Sequence, residues 1–287
     1  MLKNSFKQSL KFILVMFFVG LFGSTSAFAV IQGNDSFSTA YSFGYWQYHS
    51  SGATILAEDQ DDAYYSFRGN AGDRLYVRLS VNSDYIGSGM NLQIFDSNQV
   101  QIPPTVFNIK NPTSPLAFIF ANVNASSQGQ TFYIKVNRGN FVGPMFFSIA
   151  MEDRISSANG TFDFTGISSN PGNPNILTNP NGVDSSIITM DLTNKSTIPV
   201  GAIVKSITTS GTISPSKGGI LHKISSNENN IWHTATVKGS GYNINVSNAL
   251  KVKQNWSFRY NQKATGASTM KNVKANINYE YDITEGF

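Results

Sequence analysis

Asp59-Gln60-Asp61-Asp62-Ala63-Tyr64-Tyr65-Ser66-Phe67, with Gly72-Asp73 and the run Arg74 to Val81 behind it, is the stretch whose reading decides the fold. An acidic turn leads into an aromatic strand, and a Gly-Asp turn leads out of it. Leu75, Val77, Leu79 and Val81 then alternate with Arg74, Arg78 and Ser80. Successive side chains of a strand point to opposite sides, so this alternation predicts one buried face and one wet face. The two strands read as an antiparallel hairpin of a β-sandwich.

The pattern continues on both sides. Met90 to Phe95, Leu116 to Phe120, Thr131 to Val136 and Phe146 to Met151 are short apolar stretches bounded by Asn, Asp, Ser, Gly or Pro. Those residues make turns. No segment carries a 3.6-residue apolar stripe, so residues 30–154 are expected to form an all-β sandwich.

Five pieces of this half, in order, resemble the bacterial pre-peptidase C-terminal domain. They are Asn34-Asp35-Ser36 with Thr39-Ala40, the acidic turn before Tyr64-Tyr65-Ser66-Phe67, and Ala71-Gly72-Asp73. Leu92-Gln93-Ile94-Phe95-Asp96-Ser97 and Thr131-Phe132-Tyr133-Ile134-Lys135-Val136 complete the set. The resemblance implies a β-sandwich that accompanies a secreted peptidase as an accessory module and has no catalytic part of its own.

The first 29 residues read as a cleaved export signal. Lys3, Lys7 and Lys11 precede the apolar run Phe12 to Phe22, and Ala27-Phe28-Ala29 offers a small-residue cleavage site. The run is about a dozen residues, short of the ~20 that cross a bilayer. The mature chain is therefore expected to be secreted, extracellular and without a membrane span. Removing three Lys takes the formal charge from +4 to +1. That removes most of the case for nucleic acid, which needs a concentrated basic face. The remainder is unevenly shared: residues 30–154 hold ten acids and seven bases, residues 155–287 seven acids and eleven bases. There is no Cys, which excludes thiol catalysis, disulfides and Cys-bound zinc.

Residues 155–185 shift to Gly, Asn, Pro and Ser and read as a linker or a long ordered loop, with Thr161-Phe162-Asp163-Phe164 a strand of either domain. Residues 186–287 resume the strand pattern. The alternation is clearest from Val273 to Tyr281, where Val273, Ala275, Ile277, Tyr279 and Tyr281 face one way and Lys274, Asn276, Asn278 and Glu280 the other. The expected whole is two β-sandwich, jelly-roll-like domains in tandem after the signal.

Chemistry is sparse. There is no Gly-x-Ser-x-Gly elbow, His-Glu-x-x-His or phosphate-binding loop. Of the three histidines, His49 reads as a turn residue, while His222 and His233 sit on neighbouring expected strands. A hydrolase with His222 or His233 as general base and Asp191 as partner is the alternative function. Asn34, Asp35, Asp59 and Asp62, with Asp61 beside them, supply hard oxygens from two segments, as calcium takes. The clostridial collagen-binding domains, which resemble this family, bind calcium at these two places. They also supply acids just upstream, where this chain has Ile31, Gln32 and Gly33. The other reading is a solvated acidic turn. Tyr45, Trp46, Tyr48 and Tyr85 are candidate ligand-stacking residues, or core. The leading expectation is a secreted non-catalytic binding or accessory protein whose target is an extracellular polysaccharide or matrix-type protein.

Overall fold

The computed structural model describes residues 31–48, 53–102, 106–110, 116–235, 242–244 and 249–287. The expected signal and His49 lie outside them, as do the side chain of Tyr48 and the end of the strand expected from His233 to Val237. The chain is nearly all β and divides into two compact units between Glu152 and Asp153.

In the first unit, β1 (Tyr41–Tyr45), β2 (Ala53–Leu56), β3 (Asp62–Gly69) and β4 (Arg74–Asn82) precede a short helix, Ser83–Gly87. β5 (Asn91–Phe95), β6 (Val106–Lys110), β7 (Leu116–Asn124), β8 (Gln130–Asn137) and β9 (Met145–Asp153) follow. They form one sheet in the order β1-β3-β8-β5 and another in the order β2-β9-β4-β7-β6. Ala63, Tyr65 and Phe67 of the first sheet and Leu75, Val77, Leu79 and Val81 of the second belong to a single buried core.

The expected hairpin is therefore corrected. β3 and β4 are consecutive, but they lie in opposite sheets and face each other across the core. The turn between them carries the chain from one layer to the other. Asp73 N–H donates to the Asn70 carbonyl (2.9 Å), and Gly72 sits at φ 92°, a left-handed conformation that glycine adopts without steric cost. Alternation reports that one face is buried; it carries no information on which strand lies alongside.

The second unit contains β10 (Ile155–Asp163), β11 (Ser168–Asn170), β12 (Val183–Asp184), β13 (Ile188–Asp191) and β14 (Ile203–Ser214). It continues with β15 (Ile220–Ser226), β16 (Trp232–Thr234), β17 (Tyr242–Ile244), β18 (Asn255–Gln262) and β19 (Ser268–Asp282). One sheet runs β10-β19-β14-β17 with β11 also on β19, and the other runs β12-β18-β15-β16 with β13 also on β18. Val273, Ala275, Ile277 and Tyr279 point into the core between them, Tyr281 packs against it half-buried, and Lys274 and Asn278 point out, as the alternation predicts.

Residues 155–185 differ from expectation. β10 pairs with β19 along nine residues, and Phe162 and Phe164 enter the second core. The polar stretch beyond is docked through amide and hydroxyl side chains. Asn170 Nδ2 donates to the Val183 carbonyl (2.8 Å), and Asn173 Nδ2 donates to that of Asn179 (2.9 Å). Ser168 Oγ lies 2.7 Å from Ser185 Oγ. Buried polar atoms that find partners do not resist burial, so a Gly/Asn/Pro/Ser composition is compatible with an ordered element.

Candidate functional site

The acidic turn is held from both ends. Upstream, Tyr64 N–H donates to the Asn34 carbonyl (2.7 Å), and Asn34 Nδ2 returns a bond to the Tyr64 carbonyl (3.0 Å). This fixes residues 31–35 against the start of β3. Beneath the turn lies Arg138, a buried residue whose guanidinium donates to the carbonyls of Glu58 (2.7 Å) and Ala57. Its backbone N–H donates to the Asp61 carbonyl (3.0 Å). A buried cation thus supports a turn that carries Glu58, Asp59 and Asp61 on its exposed side. The adjoining Gly139 could be no other residue without displacing backbone, because an added Cβ would lie 2.5 Å from the Ser88 carbonyl oxygen.

Between the two segments is an open depression of about 540 Å³, lined by Gln32, Gly33, Asp35, Asp59, Asp61 and Asp62 together with Ala57 and Gln60. Asp35, Asp59 and Asp61 are exposed, and Asp62 is half-buried. Asp62 Oδ2 pairs with Lys135 Nζ (2.9 Å), and Asp62 Oδ1 accepts from Asn137 Nδ2 (2.7 Å). Burial draws the Lys135 pKa downward, but the ion pair with Asp62 outweighs it and holds the ammonium above its ordinary value.

Asp62 and Lys135 also begin a second feature, the outer face of the sheet β1-β3-β8-β5. Asp62, Tyr64 and Ser66 of β3 stand opposite Asn137, Lys135 and Tyr133 of β8, which in turn stand opposite Asn91, Gln93 and Phe95 of β5. Directly opposed residues share a face. Phe37, from the N-terminal segment, meets this face edge-on, with ring centroids 4.8 Å from Tyr64, 5.1 Å from Phe95 and 5.3 Å from Tyr133. Lys135 Nζ lies 5.7 Å from the Tyr64 ring centroid. Half-buried aromatics interleaved with amides therefore adjoin the carboxylate-lined depression.

Three of the four expected calcium ligands, Asp35, Asp59 and Asp62, meet at this depression. Asn34 is buried with its Nδ2 donating to the Tyr64 carbonyl, and Asp62 is engaged by Lys135 and Asn137. Among the described residues no group of three or more His, Cys, Asp or Glu side chains converges closely enough to hold a metal, whereas calcium takes six to eight oxygens.

The aromatic candidates are elsewhere. Trp46 belongs to the first core; its indole N–H donates to Asp73 Oδ2 (2.7 Å), and the half-buried Tyr45 hydroxyl donates to the same oxygen (2.8 Å). Tyr85 is buried against Phe141. These rings brace the fold; Phe37, Phe95 and Tyr133, which the sequence reading passed over, are the ones at the candidate face. Lys135 and Arg138 were also missed, and only the long-range register places them.

The alternative catalytic set is not assembled. His222 is 1% exposed, with Nδ1 2.9 Å from Thr209 Oγ1 and its ring edge-to-face with Phe258. Burial pushes its pKa down to about 3. His233 pairs across from Ile224 on the same core-facing side. Asp191 lies on the outer side of that sheet, exposed, with Oδ1 accepting from Thr193 N–H (2.9 Å). The sheet itself separates Asp191 from His222.

The described residues thus define an all-β protein of two compact units with a carboxylate-lined depression on the first. It shares 45% identity over 269 residues with the Bacillus subtilis (strain 168) protein described as the uncharacterized protein YbdN, covering 92% of this chain and 93% of that one. The chain belongs to the family of YbdN. No family model matches it. Among solved structures, the pre-peptidase C-terminal domain of a Bacillus anthracis collagenase aligns at 16% identity and TM-score 0.29, over 39% of this chain and 94% of that one. BuGH86 in complex with neoagarooctaose aligns at 9% identity and TM-score 0.29, over 82% of this chain and 35% of that one. At such TM-scores neither likeness bears on what this chain does. Among the described residues no helix is long and apolar enough to cross a membrane.

Proposed function

We propose that this protein is a secreted, non-catalytic binding protein that attaches to an extracellular polysaccharide through the acidic depression of its first unit and the aromatic–amide face beside it. The observation that carries this reading is the depression itself, where Asp35, Asp59, Asp61, Gln32 and Gln60 line one solvent-open space. Carboxylates accept from sugar hydroxyls and amides both donate and accept. Aromatic rings such as Phe95 and Tyr133 offer apolar area to the C–H faces of a pyranose. The buried, neutral His222 and its separation from Asp191 support the non-catalytic part. The signal-like segment Lys3 to Ala29 supports secretion.

The test is an array of uncharged glycans and matrix-type proteins probed with the full chain and with an Asp59→Asn, Asp61→Asn double variant. Selective glycan binding that falls about tenfold or more in the variant is expected, the loss of a pair of charge-assisted hydrogen bonds. Binding to a matrix protein alone would replace the ligand class. Turnover of a glycoside or peptide substrate would overturn the reading. N-terminal sequencing of exported protein should begin at Val30.

A further inference from the structure

We propose that the outer face of the sheet β12-β18-β15-β16, in the second unit, is a separate platform for a uronate-bearing polysaccharide, with Trp232 as the stacking surface and Arg259 and Lys223 as partners of the sugar carboxylate. Register decides which side chains share this face. Thr189 stands opposite Ser257, Ser257 opposite Ser225, and Ser225 opposite Trp232. In the next row Arg259 stands opposite Lys223, and Lys223 opposite Thr234; beyond it Asp184 stands opposite Asn261. The residues between them, Phe258, Tyr260 and Ile224, fill the core. A file of small hydroxyls therefore leads to one indole, beside two cations.

The cations are preorganised. Arg259 Cζ sits over the Trp232 ring, 4.0 Å from its centroid, a cation–π contact. Asp184 Oδ2 holds Arg259 Nη2 (3.0 Å), and Asp184 Oδ1 holds Lys223 Nζ (2.7 Å) and accepts from Asn261 Nδ2 (2.8 Å). Burial raises the Asp184 pKa, but Lys223, Asn261 and Arg259 outweigh it and keep the carboxylate charged. Two cations share one anion, which leaves a local excess of one positive charge. Lys223 and Arg259 keep 20% and 25% of their side chains exposed, so part of each cation stays open to a second carboxylate. Asp191 also lies on this face, in the row with Asn255 and beyond that of Ser257, where its carboxylate caps the Thr193 turn. Residues 155–287 carry eleven bases against seven acids, so the surrounding field also favours an anion. Arg259 covers one face of the half-buried indole, so a pyranose would pack on the part of Trp232 left exposed at the rim of the guanidinium, with its ring-borne carboxylate toward Arg259 and Lys223. A phosphodiester polymer carries its charge between rings, away from the stacking surface.

This platform does not depend on the depression of the first unit, which has the opposite sign. The test titrates the full chain with polygalacturonate, uncharged dextran and polyphosphate. Polygalacturonate is expected to bind and to weaken with added salt. Trp232→Ala and Lys223→Gln should each reduce its affinity about tenfold. Lys271→Gln, the same charge change at an exposed position of the other sheet, should leave it within about twofold. Trp232→Phe keeps a ring and should fall between wild type and alanine, which separates stacking from misfolding when the variants melt alike. Dextran binding that Trp232→Ala weakens as far as it weakens polygalacturonate binding, tighter binding of polyphosphate, no binding of polygalacturonate, or wild-type affinity in both Trp232→Ala and Lys223→Gln would each overturn the proposal. None of these outcomes alters the result of the uncharged-glycan array.

Discussion

Asp73 shows how much one side chain can organise. Its Oδ2 accepts from Trp46 Nε1 (2.7 Å), the Tyr45 hydroxyl (2.8 Å) and the Asn70 backbone N–H (2.7 Å). Burial alone would raise its pKa, but these three donors bring it below the ordinary carboxylate value. Asp73→Ala would leave the buried indole N–H without an acceptor and release the turn between the sheets. A loss of about 1–3 kcal/mol in urea unfolding is expected, the usual cost of an unsatisfied buried donor. The acidic turn makes the opposite prediction for calcium. With Asp62 already engaged by Lys135 and Asn137 and no three acidic side chains converging among the described residues, the full chain should melt at the same temperature in millimolar calcium and in chelator, and Asp59→Asn should not change that. A calcium-dependent rise of several degrees would show that the side chains rearrange into a shell.

At the scale of elements, the segment joining β10 to β13 is the informative one. Its composition suits a linker, yet Gly172 is buried at φ 87°, and a Cβ there would lie 2.2 Å from the Thr265 carbonyl oxygen. Glycine is required twice, for conformation and for close approach. Gly172→Ala should therefore cost at least about 2 kcal/mol, more than a substitution at an unstrained surface position. A melt indistinguishable from wild type would mean that this segment is not docked on the β18–β19 connection as described. Limited proteolysis gives a second readout. Residues 174–181 are exposed and are the place for a first cut in the native chain, whereas β10 and β11 should stay protected until the second core opens.

For the whole molecule, pH is a sharp probe, because His222 is buried in the second core. His222 has an ordinary pKa of 6.5 when unfolded and about 3 when folded, through burial. Between those values the unfolded chain binds a proton that the folded chain refuses, so stability falls as pH drops. The contribution is complete above about pH 6.5 and declines by roughly 1.4 kcal/mol per pH unit below it, until the folded pKa is reached. Unfolding followed at Trp256, buried in the second core, should show this slope between about pH 6 and pH 4. In His222→Phe the slope should be largely lost. An unchanged slope in that variant would assign the acid sensitivity to another group.

By itself the sequence determined the class of fold and the faces of its clearest strands. Leu75 to Val81 and Val273 to Tyr279 bury the side chains that their alternation selects, because a strand's two-residue period is a local property of the backbone. The acidic turn was legible as a cluster, and Asp35, Asp59 and Asp62 do line one depression. That β3 and β4 belong to opposite sheets, that Trp46 and Tyr85 are core, and that Arg138 supports the turn came only from the three-dimensional arrangement. It also decided that Asp184, Lys223, Arg259 and Trp232 share one face. Each of these depends on which distant segments become neighbours. That choice is made by the packing of whole faces against one another and by the satisfaction of buried polar groups, and neither leaves a period or a spacing in the chain.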